Sequence, residues 1–366
     1  MPTRPPGSAG RFRRILVVAA PAHGDILLAT PLLASLRRAC PDAVIHVLVY
    51  RGQAGILAGN DDVDEVLTAS KHPGFGESLG LLRRLLRNYD LAISTKHTDR
   101  AVGYAVLAGR WRVASVPPGR HAWKRRLTQA QVLYDHYGTH TIVQNASLAA
   151  ALGIDCPPDV RLPTAPDAAS VVDRLLAGGD AGAPLAVLHL NPGLPHKRWT
   201  FAGWAAVAAF LQRRGFRLVL TGDGSRGEAE YLDEATRQVP ASVTNLAGQL
   251  RFADVTELLR RCRLYVGTDT VTSHLAAAAG VPTVALFGPE TPRVWGPWPR
   301  GGRYEKTPFP GPGNQRAGNV LVVQSTEPCP TCRQAECLRR SERERSCLLM
   351  QNLGSGQVLE AITQML

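Results

Sequence analysis

The stretch LYVGTDTVTSHLAAAAGVPTVALFGPETPRVWGP, Leu264–Pro297, decides the fold. Leu264–Gly267 is a short apolar strand that ends in a glycine. Asp269 and Thr270 stand where a helix begins, and Ser273–Ala279 is a run of small and apolar helix formers. Gly280 and Pro282 stop that helix, and Val284–Phe287 returns as a buried strand. Strand, turn, helix and strand in this order make a βαβ unit. A helix that opens on small residues presents free backbone N–H groups and the positive end of its dipole. A phosphate-bearing ligand is the natural guest of such an end. An ordinary crossover fits the Ala-rich helix equally well. The polar cluster Asp269, Thr270, Thr272, Ser273 and His274 favours the ligand, because open α/β sheets bind at the carboxyl ends of their strands.

Outward from this unit the same alternation recurs. Towards the N-terminus, RRILVVAA (Arg13–Ala20) reads as a strand and Ile26–Arg38 as a helix. Strands follow at Ile45–Val49 and Val63–Leu67, a helix at Ser78–Arg87, and strands at Leu91–Ser94 and Val113–Val116. Thr141–Leu152 reads as a helix ending at Gly153, and a Pro-rich linker runs from Cys156 to Pro166. The pattern then restarts with strand Leu185–Leu190, helix Phe201–Arg213, strand Phe216–Leu220, and helices Glu228–Gln238 and Ala253–Arg261. Trp298–Pro312 is a Pro/Gly-rich loop. The expected fold class is α/β, with two Rossmann-like doubly wound domains facing each other across a cleft. The first is expected over 1–165 and the second over 166–354, with a terminal helix, 355–366, packing back on the first.

The 366 residues are too many for one hydrophobic core, which agrees with two domains. No apolar run reaches the length of a membrane span. Ile15–Ala22 is interrupted by His23, Gly24 and Asp25, so it reads as a first strand and not as a signal peptide. A cytoplasmic protein is expected. The net charge of +12 gathers at Arg4–Arg14, Arg110–Arg126 and Arg333–Arg345. Nucleic acid, an anionic membrane surface or an acidic substrate would each match it, and so would mere solubility. Aromatic residues do not interleave with these runs as a nucleic-acid stacking platform requires, so no nucleic acid is expected.

Three loops carry candidate chemistry. In AHGDILLATPLLASLRR (Ala22–Arg38), Gly24 permits a tight turn and Asp25 opens a helix, where an aspartate serves as a cap or as a general base. In HLNPGLPHKRWTFAGWAAV (His189–Val207), Lys197 and Arg198 precede a helix and either neutralise phosphate or sit in a solvated loop. In TGDGSRGEAEYL (Thr221–Leu232), Glu228 or Glu230 reaches a ribose or simply favours the helix dipole. Asp62-Val63-Asp64 imitates a DxD metal motif but lies in a loop before a strand, and no metal is expected there. Cys329, Cys332, Cys337 and Cys347, spaced CxxCx4Cx9C within 327–348, suit four thiolates around structural Zn or Fe, or four free thiols. Cys40, Cys156 and Cys262 read as isolated fillers.

Taken in order, HGDILLATPLL (His23–Leu33), PGLPHKRW (Pro192–Trp199), the long block Asn245–Pro297 and the cysteine-bearing tail resemble glycosyltransferase family 9, the ADP-heptose:lipopolysaccharide heptosyltransferases. The resemblance covers most of the chain from Arg14 onward. It implies a GT-B fold, with the acceptor on the first domain and the nucleotide-sugar on the second. It implies inverting transfer of heptose from ADP-heptose to a lipopolysaccharide core acceptor, with Asp25 as the base. Lys197 would contact the donor diphosphate or sugar, and Asp269 would hold sugar hydroxyls. Backbone N–H groups around Thr270, Val271, Thr272 and Ser273 would hold phosphate, and His274 would support the site. Arg198 and Glu228 join the donor-binding candidates on the loop reading above. On the acceptor side the candidates are His23 and, from the basic run GRHAWKRR (Gly119–Arg126), Lys124, Arg125 and Arg126, which either meet phosphate or carboxylate groups of the core or form a solvated loop. No cofactor is needed for the chemistry, and the enzyme is expected at the inner face of the inner membrane. Val271 departs from the family, which often carries glycine there; a β-branched residue resists positive φ and alters the phosphate approach. The same fold with another nucleotide-activated sugar, acting on a different surface glycan or a protein, is the alternative. A basic zinc-knuckle protein that binds nucleic acid is a distant third.

Overall fold

The computed structural model describes residues 12–19, 21–119, 122–180, 182–238, 243–327 and 347–366. The chain divides into two compact units, Met1–Pro163 and Thr164–Leu366.

The first unit is built on six strands: β1 Arg14–Val18, β2 Val44–Tyr50, β3 Glu65–Ala69, β4 Tyr89–Ser94, β5 Gly109–Val116 and β6 Ala130–Leu133. Their order is β3-β2-β1-β4-β5-β6, and every neighbouring pair is parallel. Ile15 to Val18 are all buried, as expected of a central strand covered on both faces. The chain leaves β1 towards β2 and β3 and later returns on β1's other side as β4. The β1/β4 junction is therefore a topological switch point, where the loops diverge and leave a crevice at the carboxyl edge.

The second unit repeats this plan. Its strands are β7 Leu185–His189, β8 Arg217–Leu220, β9 Val243–Asn245, β10 Leu264–Thr268, β11 Thr283–Phe287, β12 Gln315–Ala317 and β13 Val320–Gln324. The order is β12-β13-β11-β10-β7-β8-β9, parallel except for the β12–β13 pair. Here the switch point falls between β7 and β10. Gly280, at φ 86°, closes the Val271–Ala279 helix as the sequence indicates.

One expectation changes. The helix expected over Ile26–Arg38 is two helices, His23–Leu27 and Thr30–Ala39. Pro31 lacks an N–H and sits in the first turn of the second one. Thr30 fixes the break: its hydroxyl donates to the Leu27 carbonyl at 2.7 Å and accepts the Arg161 N–H at 2.9 Å. The terminal helix Ser355–Met365 contributes to the second unit. Val358, Ala361, Ile362 and Met365 join the core of the second unit, against Trp204 and Leu321 among others.

Candidate active site

In the first unit, Asp25 follows β1 and a lysine that the sequence reading passed over, Lys96, follows β4. Their loops flank the switch point, and the two side chains meet: Lys96 Nζ lies 2.5 Å from Asp25 Oδ1, with side-chain exposures of 7% and 9%. Asp25 Oδ2 accepts the Ala22 N–H at 3.2 Å, so the carboxylate also caps its own helix. Capping and a chemical role are thus compatible here, since each carboxylate oxygen has a second lone-pair direction. Ser94 anchors the Lys96 backbone by donating to its carbonyl at 2.7 Å. His23 stands beside Asp25 with Nε2 3.3 Å from the Gly52 carbonyl.

The basic run beyond β5 does not act as one surface. Lys124 is 2% exposed. Its ammonium reaches the His97 carbonyl and lies 2.8 Å from Asp99 Oδ1. That corrects its expected acceptor contact: it ties the loop after β4 to the Ala122–Leu127 helix. Arg125 and Arg126 are exposed. Asp64 of the DxD look-alike accepts the Ile45 N–H at 2.7 Å and Arg37 at 2.6 Å, a structural use.

In the second unit the pair recurs with the charges exchanged between loops. Lys197 follows β7, Asp269 follows β10, and Lys197 Nζ donates to Asp269 Oδ2 at 2.6 Å. Arg198 is held apart from it: its Nε donates to Asn191 Oδ1 at 2.9 Å and its guanidinium lies 4.3 Å from the Tyr231 ring centroid. The helix Val271–Ala279 begins beside Asp269, with Thr270 extended at its N-cap. Thr272, Ser273 and His274 are buried in its first turn. Ser273 is not available to a ligand through its hydroxyl, which donates to the Thr268 carbonyl at 2.6 Å and bonds Tyr265 Oη at 3.0 Å. Gly267 makes this possible, because a Cβ there would lie 2.2 Å from the Tyr265 hydroxyl. Val271 is the first helical residue and takes no positive φ. The missing glycine therefore costs no backbone strain; what Val271 adds is a side chain at the helix mouth.

Glu228 is buried against the turn Gly222–Gly224, while Glu230 is exposed. Gly224 N–H donates to Glu228 Oε2 at 2.8 Å. Burial, together with a hydrogen bond to Asp223, pushes the Glu228 carboxyl up to about 7. Burial would also raise Asp223, but hydrogen bonds from Glu228 and the Ser225 N–H hold it below its usual value. Below about pH 7 Glu228 therefore favours its protonated form beside a charged Asp223. Alongside, His189 is buried with Nδ1 2.9 Å from Thr221 Oγ1, and burial lowers it to about 4. Sequence reasoning missed Lys96, His189 and Asp223; their common signal is a polar side chain at or just beyond a strand's carboxyl end.

The family model of glycosyltransferase family 9 (heptosyltransferase) matches residues 79–303. This chain belongs to that family. Lipopolysaccharide heptosyltransferase 3 of Escherichia coli (strain K12) is 30% identical over 306 residues, covering 78% of this chain and 87% of the relative. Among solved structures, the glycosyl transferase family 9 protein from Veillonella parvula DSM 2008 superposes with a TM-score of 0.75 at 19% identity, covering 96% of this chain and 97% of that one. E. coli ADP-heptose lps heptosyltransferase II gives 0.70 at 20% identity, covering 96% and 98%. The heptosyltransferase fold is thus GT-B, and the chain is a glycosyltransferase. Cys329, Cys332 and Cys337 lie outside the described residues. Cys347 is buried in the second unit, its N–H donating to the His196 carbonyl at 3.2 Å.

Proposed function

We propose that this family 9 enzyme transfers heptose from ADP-heptose to a lipopolysaccharide core acceptor, with inversion at the anomeric carbon. The observation that carries the reading is the pair of Lys–Asp contacts at the two switch points. One holds a carboxylate fit to take a proton, and the other sets a cation and a helix N-terminus beside one another. Asp25 removes the proton from the acceptor hydroxyl as that oxygen attacks the anomeric carbon. The bond from that carbon to the diphosphate breaks, and its electrons leave with ADP. Lys197 and the N–H groups at Thr270–Thr272 stabilise the departing charge. Asp269, which accepts from Lys197, offers its remaining lone pairs to sugar hydroxyls. Glu228 and Asp223 bind the ribose hydroxyls, the one able to donate and the other to accept. Lys96 keeps Asp25 oriented, and His23, Arg125 and Arg126 meet anionic groups of the acceptor.

The enzyme works on a lipid-linked acceptor at the inner face of the inner membrane. No helix among the described residues is long and apolar enough to cross a membrane. The cysteine spacing supports one structural zinc or iron held by Cys329, Cys332, Cys337 and Cys347. Purified enzyme given ADP-heptose and a heptose-deficient core acceptor should release ADP and form the glycoside. Equal transfer by Asp25→Ala would remove Asp25 from the mechanism. Tighter binding of UDP or GDP than of ADP would overturn the donor.

A further inference from the structure

The helix Phe75–Leu85 touches the first unit along a narrow edge. Within it only Leu85 is buried, and Leu81 packs partly on the core. At about 100° per residue, Phe75, Leu79, Leu82 and the C-cap Leu86 share one stripe, roughly 100° around the axis from Leu81 and Leu85. The stripe faces water: Phe75 is 87% exposed, Leu82 38% and Leu86 55%. Arg83 lies on the solvent side of it, and Lys71 and Arg87 flank the helix before its start and after its end; all three are exposed. Arg84 pairs with Glu65 at 2.6 Å, and Glu77 is held by Arg51 and the Ser70 N–H. Among the described residues no acidic side chain pairs with Lys71, Arg83 or Arg87.

We infer that this face docks on an anionic membrane surface. Phe75, Leu82 and Leu86 enter the boundary between headgroups and acyl chains, and Lys71, Arg83 and Arg87 lie among lipid phosphates. An apolar stripe flanked by cations on a helix lying flat is the pattern such a surface takes. The same cations oppose a second copy on this face, because a two-fold contact would bring Arg83 and Arg87 of both copies together. A lipid-linked acceptor, the reading above, gives the docking its purpose, but the binding can be measured without it.

The test is co-sedimentation of the full chain with phosphatidylglycerol–phosphatidylcholine vesicles and with pure phosphatidylcholine vesicles, at low and high salt. Binding should require the anionic lipid and weaken with salt. Phe75→Ser with Leu86→Ser should lower partitioning about tenfold or more, and Arg83→Ser about fivefold. Both variants should glycosylate a soluble, deacylated acceptor at the wild-type rate. Undiminished vesicle binding by the Phe75/Leu86 variant overturns the inference, as does equal binding to neutral vesicles. So does self-association of the wild type that this variant abolishes. Vesicle binding that follows these expectations while no acceptor is glycosylated would sink the heptose reading and leave the docking face standing.

Discussion

Lys96 and Asp25 form a buried ion pair across the switch point of the first sheet, 2.5 Å apart and less than a tenth exposed. Neither residue is near the other in sequence, and both charges are buried. Removing one partner of such a pair is costlier than the pair is stabilising. Lys96→Met should therefore destabilise the first unit by about 3 kcal/mol in urea titration. It should also lower turnover, by letting Asp25 swing or take up a proton. Asp25→Ala should cost roughly 10²–10⁴ in turnover. If Lys96 acts through Asp25, the double variant should transfer no more slowly than Asp25→Ala alone. Multiplying losses would show an independent role.

The Lys197–Asp269 contact makes a different prediction for each partner. Lys197→Ala removes a cation from the diphosphate and should weaken ADP binding by roughly ten- to a hundredfold, read by calorimetry. Asp269→Asn keeps the shape but frees the full charge of Lys197. ADP should then bind at least as tightly as to wild type while heptose transfer falls. Weaker ADP binding by Asp269→Asn would mean that the aspartate orients Lys197 more than it holds sugar.

Glu228 yields a pH prediction. Its carboxyl is protonated up to about 7 in the fold but only to about 4.5 when unfolded. The native state binds the extra proton between those values, so this group's contribution to stability falls as pH rises from about 4.5 to 7. His189, lowered to about 4, contributes with the opposite sign, stability rising with pH from about 4 to 6.5. The total curve thus hides both effects. Glu228→Gln, which mimics the protonated acid, should gain on wild type across pH 4.5–7, reaching on the order of 2–3 kcal/mol above pH 8. A pH-independent difference between the two proteins would refute the shared proton.

Lys124 separates a structural cation from a binding one. Lys124→Met should lower the melting midpoint, by about 2–3 kcal/mol in stability, because Asp99 and the His97 carbonyl lose their donor. Arg125→Ser and Arg126→Ser should leave the midpoint within about 0.5 kcal/mol of wild type. If they meet the acceptor, their effect appears in its KM alone.

The alternating pattern of β1 to β5 and of β7, β8, β10 and β11 was legible because buried parallel strands are apolar along their whole length and glycine or proline marks their ends. The break at Leu28–Ala29 was not. Its cause is Thr30 bonding to Arg161, far along the chain. Asp25, Lys197 and Asp269 were legible because a polar residue directly after an apolar strand stands out. Lys96 stands in the same kind of position, but one lysine among many carries no mark until its partner is known. Ser273 counted towards the polar cluster at the strand end by its place in the sequence, whereas its hydroxyl is turned inward to Tyr265 and the Thr268 carbonyl.

By itself, then, the sequence determined two parallel α/β units, the Asp269–Gly280 helix device and the family. Those follow from periodicity, turn chemistry and motifs, which act between residues a few positions apart. Tertiary structure alone decided the distant partners, Lys96 for Asp25 and Asp99 for Lys124, and the burial that sets the proton on Glu228 beside its near neighbour Asp223. Ion pairs and shared protons depend on distance and burial, and the strand order that brings those loops together is written in no local stretch of the chain.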